Sequence, residues 1–155
     1  MTETITSFTG ENKIYSNFYP CIVNVEGLNF PTLEHAYAAS KSKQFFFRKL
    51  MSNLSADKAG LARKRGTTIR LRADWPIVRL PIMKGLLRQK FNQQPFKQKL
   101  MQTIKAHIEE GNYWHDNFWG NCLCPKCKDI PGENNLGKAI MEIRSELFEK
   151  DSCHG

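Results

Sequence analysis

The sequence predicts an α+β fold: one predominantly helical domain over residues 1–155, with a small β-sheet near its N-terminus. Its length of 155 residues suits a single domain. Its hydrophobic share of 41% and charged share of 25% are typical of a protein with a packed core. Segments with helical periodicity follow one pair of short β-prone runs, and neither a repeat nor a low-complexity linker interrupts them.

The sheet is predicted from residues 21–30, where two β-prone runs flank Glu26 and Gly27 as in a hairpin. Pro31 and Thr32 end this extended segment. Thr32 is a suitable N-cap for a helix that runs to about residue 42 or 43.

Further helices are predicted over about 45–53, 56–65, 76–93, 95–110 and 134–150. Pro95 suits a first helical turn, and Gly111 suits the position after a helix end. Pro81 does not suit a helix interior, so helix 76–93 is either kinked there or begins near Pro81. Residues 112–134, rich in Trp, Asn, Gly and Cys, have no helical period, and long irregular connections of this kind are usually functional.

Composition also excludes some classes of protein. No apolar run approaches the roughly 20 residues that span a bilayer, and the N-terminus lacks the features of a signal peptide. We therefore expect a cytoplasmic protein with no membrane partner. Five cysteines in a reducing compartment are more often free, catalytic or metal-bound than bridged.

Positive charge is concentrated in the middle of the chain. Residues 41–105 carry 17 Lys and Arg against Asp57 and Asp74, whereas the segments on both sides are net acidic. Taken singly, these basic residues are best explained as solvated helix faces. The imbalance itself points to a phosphate-bearing partner, on a nucleotide, a sugar phosphate or a nucleic acid.

The first candidate site lies on the helix after Thr32. Glu34 falls in its first turn, where unpaired N–H groups and the helix dipole favour a carboxylate. Tyr37 and Lys41 follow at i+3 and i+7 on the same face. An ionised Glu34 suits stabilisation of a developing cation or orientation of a water; alternatively, Glu34 only caps the helix and Lys41 is solvated.

The second candidate site is aromatic and consists of Trp75, Trp114 and Trp119. A Trp beside basic and amide groups in a loop can stack on a purine or pyrimidine. The alternative is a core anchor whose indole N–H has a partner, and we expect this for at least one of the three.

The third candidate site consists of Cys122, Cys124 and Cys127. A Cys-x-x-Cys pair places two thiolates on one tight turn, and Cys122 can close on the same ion, so the spacing indicates zinc. A closed structural site needs one ligand more, which would come from His115, Cys153, His154 or Cys21. Reduced free thiols are the alternative, and a catalytic Cys is not indicated because the sequence identifies no paired base.

Several short motifs follow one another along the chain. They are Ser16-Asn17-Phe18, Pro31-Thr32-x-Glu34-His35-x-Tyr37 with Lys41, Arg72-x-Asp74-Trp75, Trp119-Gly120, and Asn134-Asn135-Leu136-Gly137 with Ile140-Met141-x-x-Arg144. In this order they resemble the NADAR, or YbiA-like, family from about residue 8 to residue 147.

The resemblance implies an N-glycosidase, which hydrolyses the bond between ribose C1′ and a nitrogen. The implied substrates are ADP-ribose attached to guanine, free or in DNA, and early riboflavin-pathway intermediates that carry a ribose 5-phosphate. The family's glutamate maps onto Glu34, and its tryptophans map onto Trp75 and Trp119. No cofactor is required, and zinc would serve to brace residues 112–134.

We expect the base to be held by a tryptophan, the phosphate by basic residues and the ribose hydroxyls by asparagines. The full set of expected substrate contacts is Asn17, Phe18, Tyr37, Lys41, Arg63, Arg72, Trp75, Trp119, Asn135 and Gly137. Two positions depart from the family pattern. Asn121 stands where many relatives have an acidic residue, which Asp116 could replace if the loop folds back, and Ala38 stands where relatives often have Gln.

Two other functions remain open from the sequence. One is a zinc-braced basic nucleic-acid-binding module without catalysis, which the basic block and the cysteines favour. The other is a small-molecule binding protein that has lost hydrolytic activity. Asn121 suggests this function because it stands where many relatives have an acidic residue.

Overall fold

A computed structural model describes residues 3–155, and its fold is α+β and predominantly helical, as predicted. The α-helices are α1 (Leu33–Ser40), α2 (Phe45–Ser52), α3 (Ala59–Thr68), α4 (Trp75–Phe91), α5 (Phe96–Gln102) and α6 (Asn135–Cys153). The strands are β1 (Thr4–Ile5), β2 (Pro20–Val25), β3 (Leu28–Thr32), β4 (His107–Ile108), β5 (Gly111–Asn112) and β6 (Asn121–Cys122). Two short 3-10 helices cover Gly10–Tyr15 and Ala56–Lys58.

The chain divides into two compact units. The hairpin unit is Asn17–Asn92, and the cysteine unit comprises residues 3–16 with Gln93–Gly155. That the whole chain folds as one domain stays a prediction.

The hairpin unit is built on the predicted antiparallel pair β2 and β3. Its two-residue turn places Glu26 at φ 49° and Gly27 at φ 87° between the paired residues Val25 and Leu28. Two positive φ angles give a turn whose twist matches the strands, and glycine adopts this conformation without strain. Cys21 and Val23 alternate with exposed neighbours, so one face of β2 enters the core.

Helices α1, α2, α3 and α4 complete the hairpin unit. A Cβ on Gly66 of α3 would lie 3.1 Å from the Cβ of Ala38, so small residues allow α1 and α3 to approach closely. Helix α4 runs through Pro81 without starting there, which resolves the alternatives for that segment. The core contains Val23, Phe30, Leu33, Met51, Met83, Leu87 and Phe91.

The cysteine unit corrects two predictions about residues 95–111. Helix α5 ends at Gln102, and residues beyond it form β4 and β5, so a helix over 95–110 and a helix-ending role for Gly111 are both wrong. β4 pairs in parallel with β1, and the Glu109 N–H donates to the Ile5 carbonyl at 2.8 Å. The backbone of residues 107–109 therefore bonds to a segment some hundred residues earlier in the chain and does not form the hydrogen bonds of a helix.

None of the described helices has the length and apolarity required to cross a membrane.

Lys90 is fully buried at the end of α4, and its ammonium lies 6.0 Å from the ring centroid of Tyr19. Burial lowers the pKa of Lys90 to about 7, with the charge of Cys21 acting in the opposite direction. Above that pH the unfolded chain binds the extra proton, so stability rises with pH. Between pH 7 and 9 we expect the free energy of unfolding to rise by about 1 kcal/mol per pH unit more in the wild type than in Lys90→Met. Urea denaturation at three pH values measures this difference. An equal change of the free energy of unfolding with pH in the wild type and in Lys90→Met would contradict it.

Candidate active site

The start of α1 is held by side-chain hydrogen bonds. The Oγ1 of buried Thr32 accepts from the His35 N–H at 3.1 Å, which is the predicted N-cap. The Nε2 of His35 lies 3.1 Å from the Ser55 carbonyl, and its Nδ1 lies 2.7 Å from Thr32 Oγ1. Since a carbonyl only accepts, we assign the proton to Nε2. Burial lowers the pKa of His35, so the ring is neutral and serves to position the helix start.

Glu34 is attached to a second segment through its backbone. Its N–H donates to the Asn17 carbonyl at 3.0 Å, so the first turn of α1 is fixed both by Thr32 and by the loop before β2. The Nδ2 of Asn17 donates to Met83 Sδ at 3.7 Å, while its Oδ1 is buried and has no hydrogen-bond partner among the described residues. A buried acceptor of this kind suits a ligand hydroxyl.

The pKa of Lys41 is affected by the charges of Glu34 and Arg63. Burial is the largest effect and lowers the pKa of Lys41; the Glu34 charge raises it, and the Arg63 charge lowers it. The Lys41 ammonium also lies 5.4 Å from the Tyr37 ring centroid. The structure therefore brings together a carboxylate, two cations and an aromatic ring, and we call Glu34, Tyr37, Lys41 and Arg63 the Glu34 cluster.

Trp75 and Arg72 lie beside this cluster, but the side chains of both already have partners within the protein. Trp75 is buried and packs on Tyr37, with ring centroids 5.1 Å apart. The Arg72 N–H donates to the Lys41 carbonyl at 2.8 Å, and its guanidinium donates twice to Asp74 at 2.6 and 2.9 Å. A phosphate bound by Arg72 would compete with a bidentate ion pair. Among the expected contacts of the hairpin unit, Phe18 and Arg63 are exposed.

The hairpin unit also contains a cleft of about 450 Å³. Its lining includes Arg72 together with Ser40, Arg48 and Gln89, but not Glu34. Arg48 is buried, donating to Ser42 O at 2.8 Å and to the Glu26 carboxylate. The cleft and the Glu34 cluster are therefore separate features. Arg72 lines the cleft, and its backbone N–H donates to Lys41 of the cluster.

The remaining expected contacts lie in the cysteine unit, around the start of α6. The Trp119 carbonyl accepts from the Leu136 N–H at 2.9 Å, and Asn135 Nδ2 donates to the Phe118 carbonyl at 2.9 Å. Trp119 packs edge-on against Phe118 with centroids 4.8 Å apart. A Cβ on Gly137 would lie 2.2 Å from the Ile108 carbonyl, so a side chain there is excluded by packing.

Asn121, which departs from the family pattern, and Asp116, which could replace the missing carboxylate, both have structural partners. Asp116 Oδ1 accepts from the N–H groups of Phe118 and Trp119 at 3.1 and 2.9 Å, so its carboxylate caps this turn. Asn121 Nδ2 donates to Glu109 at 3.0 Å, and its Oδ1 accepts from the Gly132 N–H at 3.1 Å. Both side chains thus order the segment that carries Trp119.

The cysteine unit also holds a possible metal centre, which we call the His/Cys cluster. One donor atom each from His115, Cys122, Cys124 and Cys127 lies within 4.8 Å of the others. His115 Nδ1 is 3.3 Å from the sulfurs of Cys124 and Cys127 and 3.9 Å from that of Cys122. Burial and hydrogen bonds to the neighbouring thiols raise the pKa of Cys127 to about 11. These four residues could hold a metal ion.

The fold and the Glu34 cluster define a mostly helical α+β protein with a carboxylate at a helix start beside cations and aromatic rings. Residues 6–148 match the sequence model of the NADAR domain. This chain belongs to the NADAR family, as its motifs predicted.

Individual relatives support this assignment. The chain is 30% identical to N-glycosidase YbiA of Escherichia coli strain K12, over 95% of this chain and 91% of that protein. It is 31% identical to N-glycosidase Npun_R5314 of Nostoc punctiforme, over 86% and 84%. The riboflavin biosynthesis protein VVA0006 of Vibrio vulnificus is 32% identical over 86% of this chain, which spans only 35% of that longer protein. The NMR structure of E. coli YbiA superimposes with a TM-score of 0.80 at 28% identity, covering 97% of this chain and 89% of that one.

Two residues that position the candidate sites were named in the sequence motifs but were given no role there. His35 was recognisable from its i+3 spacing to Thr32, which suits a capping pair. Asn134 has φ 49°, which Asn tolerates, and its side chain bonds both Glu110 N at 3.0 Å and Ile108 O at 2.9 Å. No periodic pattern signals such a bridge between distant segments.

Proposed function

We propose that this protein is an N-glycosidase that hydrolyses the bond between ribose C1′ and a nitrogen of a ribosylated, phosphate-bearing heterocycle. The observation that carries the proposal is Glu34, fixed at the start of α1 by Thr32 and Asn17, with the charge of Lys41 close enough to interact with its carboxylate. The names of the E. coli and Nostoc relatives support it.

The chemistry follows from the position of the carboxylate. As the C1′–N bond breaks, positive charge develops on the sugar, and a carboxylate held nearby stabilises it or takes a proton from the attacking water. The water oxygen bonds to C1′, and the departing nitrogen ends with one proton from that water. This reaction needs no cofactor, because the charge is stabilised by a side chain of the protein; zinc at the His/Cys cluster would be structural.

Lys41 is the cation that the proposal assigns to the phosphate. We expect Lys41→Met to raise KM about tenfold or more, since a charge-assisted hydrogen bond contributes about 1.5–3 kcal/mol, while kcat changes less. The matched control is Lys43→Met, at an exposed position two residues on. Equal effects of the two substitutions would show that only the general basic charge matters.

The decisive experiment offers the protein two substrates, ADP-ribosylated guanosine and the pyrimidine ribosylamine phosphate of the riboflavin pathway. Release of ADP-ribose or ribose phosphate supports the proposal and identifies the substrate. Binding to either compound without release would instead support a binding protein. DNA or RNA binding with a steep salt dependence and no release from either compound would support the nucleic-acid-binding module.

A further inference from the structure

We infer that His115, Cys122, Cys124 and Cys127 form a closed, four-coordinate zinc site. Zinc takes thiolate sulfur at about 2.3 Å and imidazole nitrogen at about 2.0 Å, so tetrahedral geometry separates nitrogen from sulfur by about 3.5 Å. The observed separations of 3.3, 3.3 and 3.9 Å lie around this value. Three sulfurs and one nitrogen in this arrangement favour zinc over harder cations.

His115 supplies the fourth donor atom of the cluster. His115 adopts φ 68°, a left-handed conformation in which Asn, Asp and His are enriched among residues other than glycine, and its Nδ1 lies 3.3 Å from the sulfurs of Cys124 and Cys127. The backbone N–H of His115 also donates to Cys122 Sγ at 3.3 Å, which ties His115 to a second member of the cluster. The sequence had also allowed Cys153, His154 and Cys21. Neither Cys21, Cys153 nor His154 belongs to the described cluster, and the last two are exposed.

The segment that carries Cys122 is hydrogen-bonded to residues 112–117 and to the residue before α6. The Cys122 N–H donates to Asn117 Oδ1 at 2.9 Å, and the Leu123 N–H donates to the Asn112 carbonyl at 2.7 Å. Two residues before Cys122, the Gly120 carbonyl accepts from the Asn134 N–H at 3.2 Å. A metal that fixes the four ligands therefore braces residues 117–122 against the start of α6. That Trp119 and Asn135 are thereby placed for substrate rests on the proposed function.

Metal content tests the ligand set directly. Under reducing conditions, we expect the purified protein to bind one zinc ion per chain and Cys124→Ser or His115→Ala to lose it. His115→Cys should retain zinc, because a fourth thiolate completes the same tetrahedron. The matched control Cys153→Ser should also retain it. If both single variants, His115→Ala and Cys124→Ser, retained zinc, the assignment would be overturned.

A second measurement needs no substitution and no substrate. We expect chelation of zinc from the wild type to increase hydrogen exchange at the amides of residues 118–123 and 134–136, and added zinc to restore protection. A wild-type protein that binds no zinc, or unchanged exchange after its removal, would overturn the inference. Because neither readout involves base release, failure here is distinguishable from failure of the N-glycosidase proposal.

Discussion

Replacing Glu34 by Gln is expected to lower kcat by about 10³-fold, the scale on which a positioned carboxylate contributes to general base and electrostatic catalysis. The amide keeps the shape of the side chain and the backbone N–H bond to Asn17. Only the negative charge and the proton acceptor are lost. We therefore expect substrate affinity to change by no more than a few-fold.

Steady-state kinetics of base release and titration of substrate by calorimetry separate these two quantities. Glu11→Gln is the matched control, because Glu11 is exposed in the first turn of a 3-10 helix, outside the hairpin unit. Its turnover should equal that of the wild type. Wild-type turnover in Glu34→Gln would remove the catalytic role of Glu34 and with it the proposed mechanism.

Gly137→Ala is expected to destabilise the protein by about 3 kcal/mol, at the upper end of the usual cost of overpacking. The new Cβ would meet the Ile108 carbonyl at 2.2 Å and the Asn134 side chain at 2.5 Å. The carbonyl belongs to β4, which pairs with β1, so it cannot move aside without breaking that pairing. Urea denaturation of the purified variant measures the loss.

Replacing glycine by alanine is expected to have the opposite effect on stability at Gly85. This residue lies inside α4, and a Cβ there meets no heavy atom within 4 Å. Gly85→Ala should therefore stabilise the protein by about 0.5–1 kcal/mol, the helix-propensity difference. If Gly137→Ala kept wild-type stability and lost only substrate binding, the substrate contact implied by the family resemblance would explain this glycine instead of packing.

Several features of the hairpin unit were predictable because their causes are local. The turn at Glu26 and Gly27 and the cap at Thr32 each depend on residues within a few positions of one another. Helix α2 was predicted within one residue at its end. The Glu34 cluster was predictable in part, since i, i+3 and i+7 spacing alone places Tyr37 and Lys41 beside Glu34.

The family and the three cysteines of the His/Cys cluster were also predictable, since the order of the motifs and the spacing of the cysteines are properties of the sequence itself. Other features depend on segments that meet only after folding. The two-residue strands β1, β4, β5 and β6 have no detectable period, and β4 forms because Thr4–Ile5 offers it hydrogen bonds. The position of His115 beside the three cysteines depends on how residues 112–127 fold back on one another, and the burial of Trp75 depends on packing. Local sequence sets which residues can form helices and turns, whereas long-range contacts decide which of those residues remain accessible to a ligand.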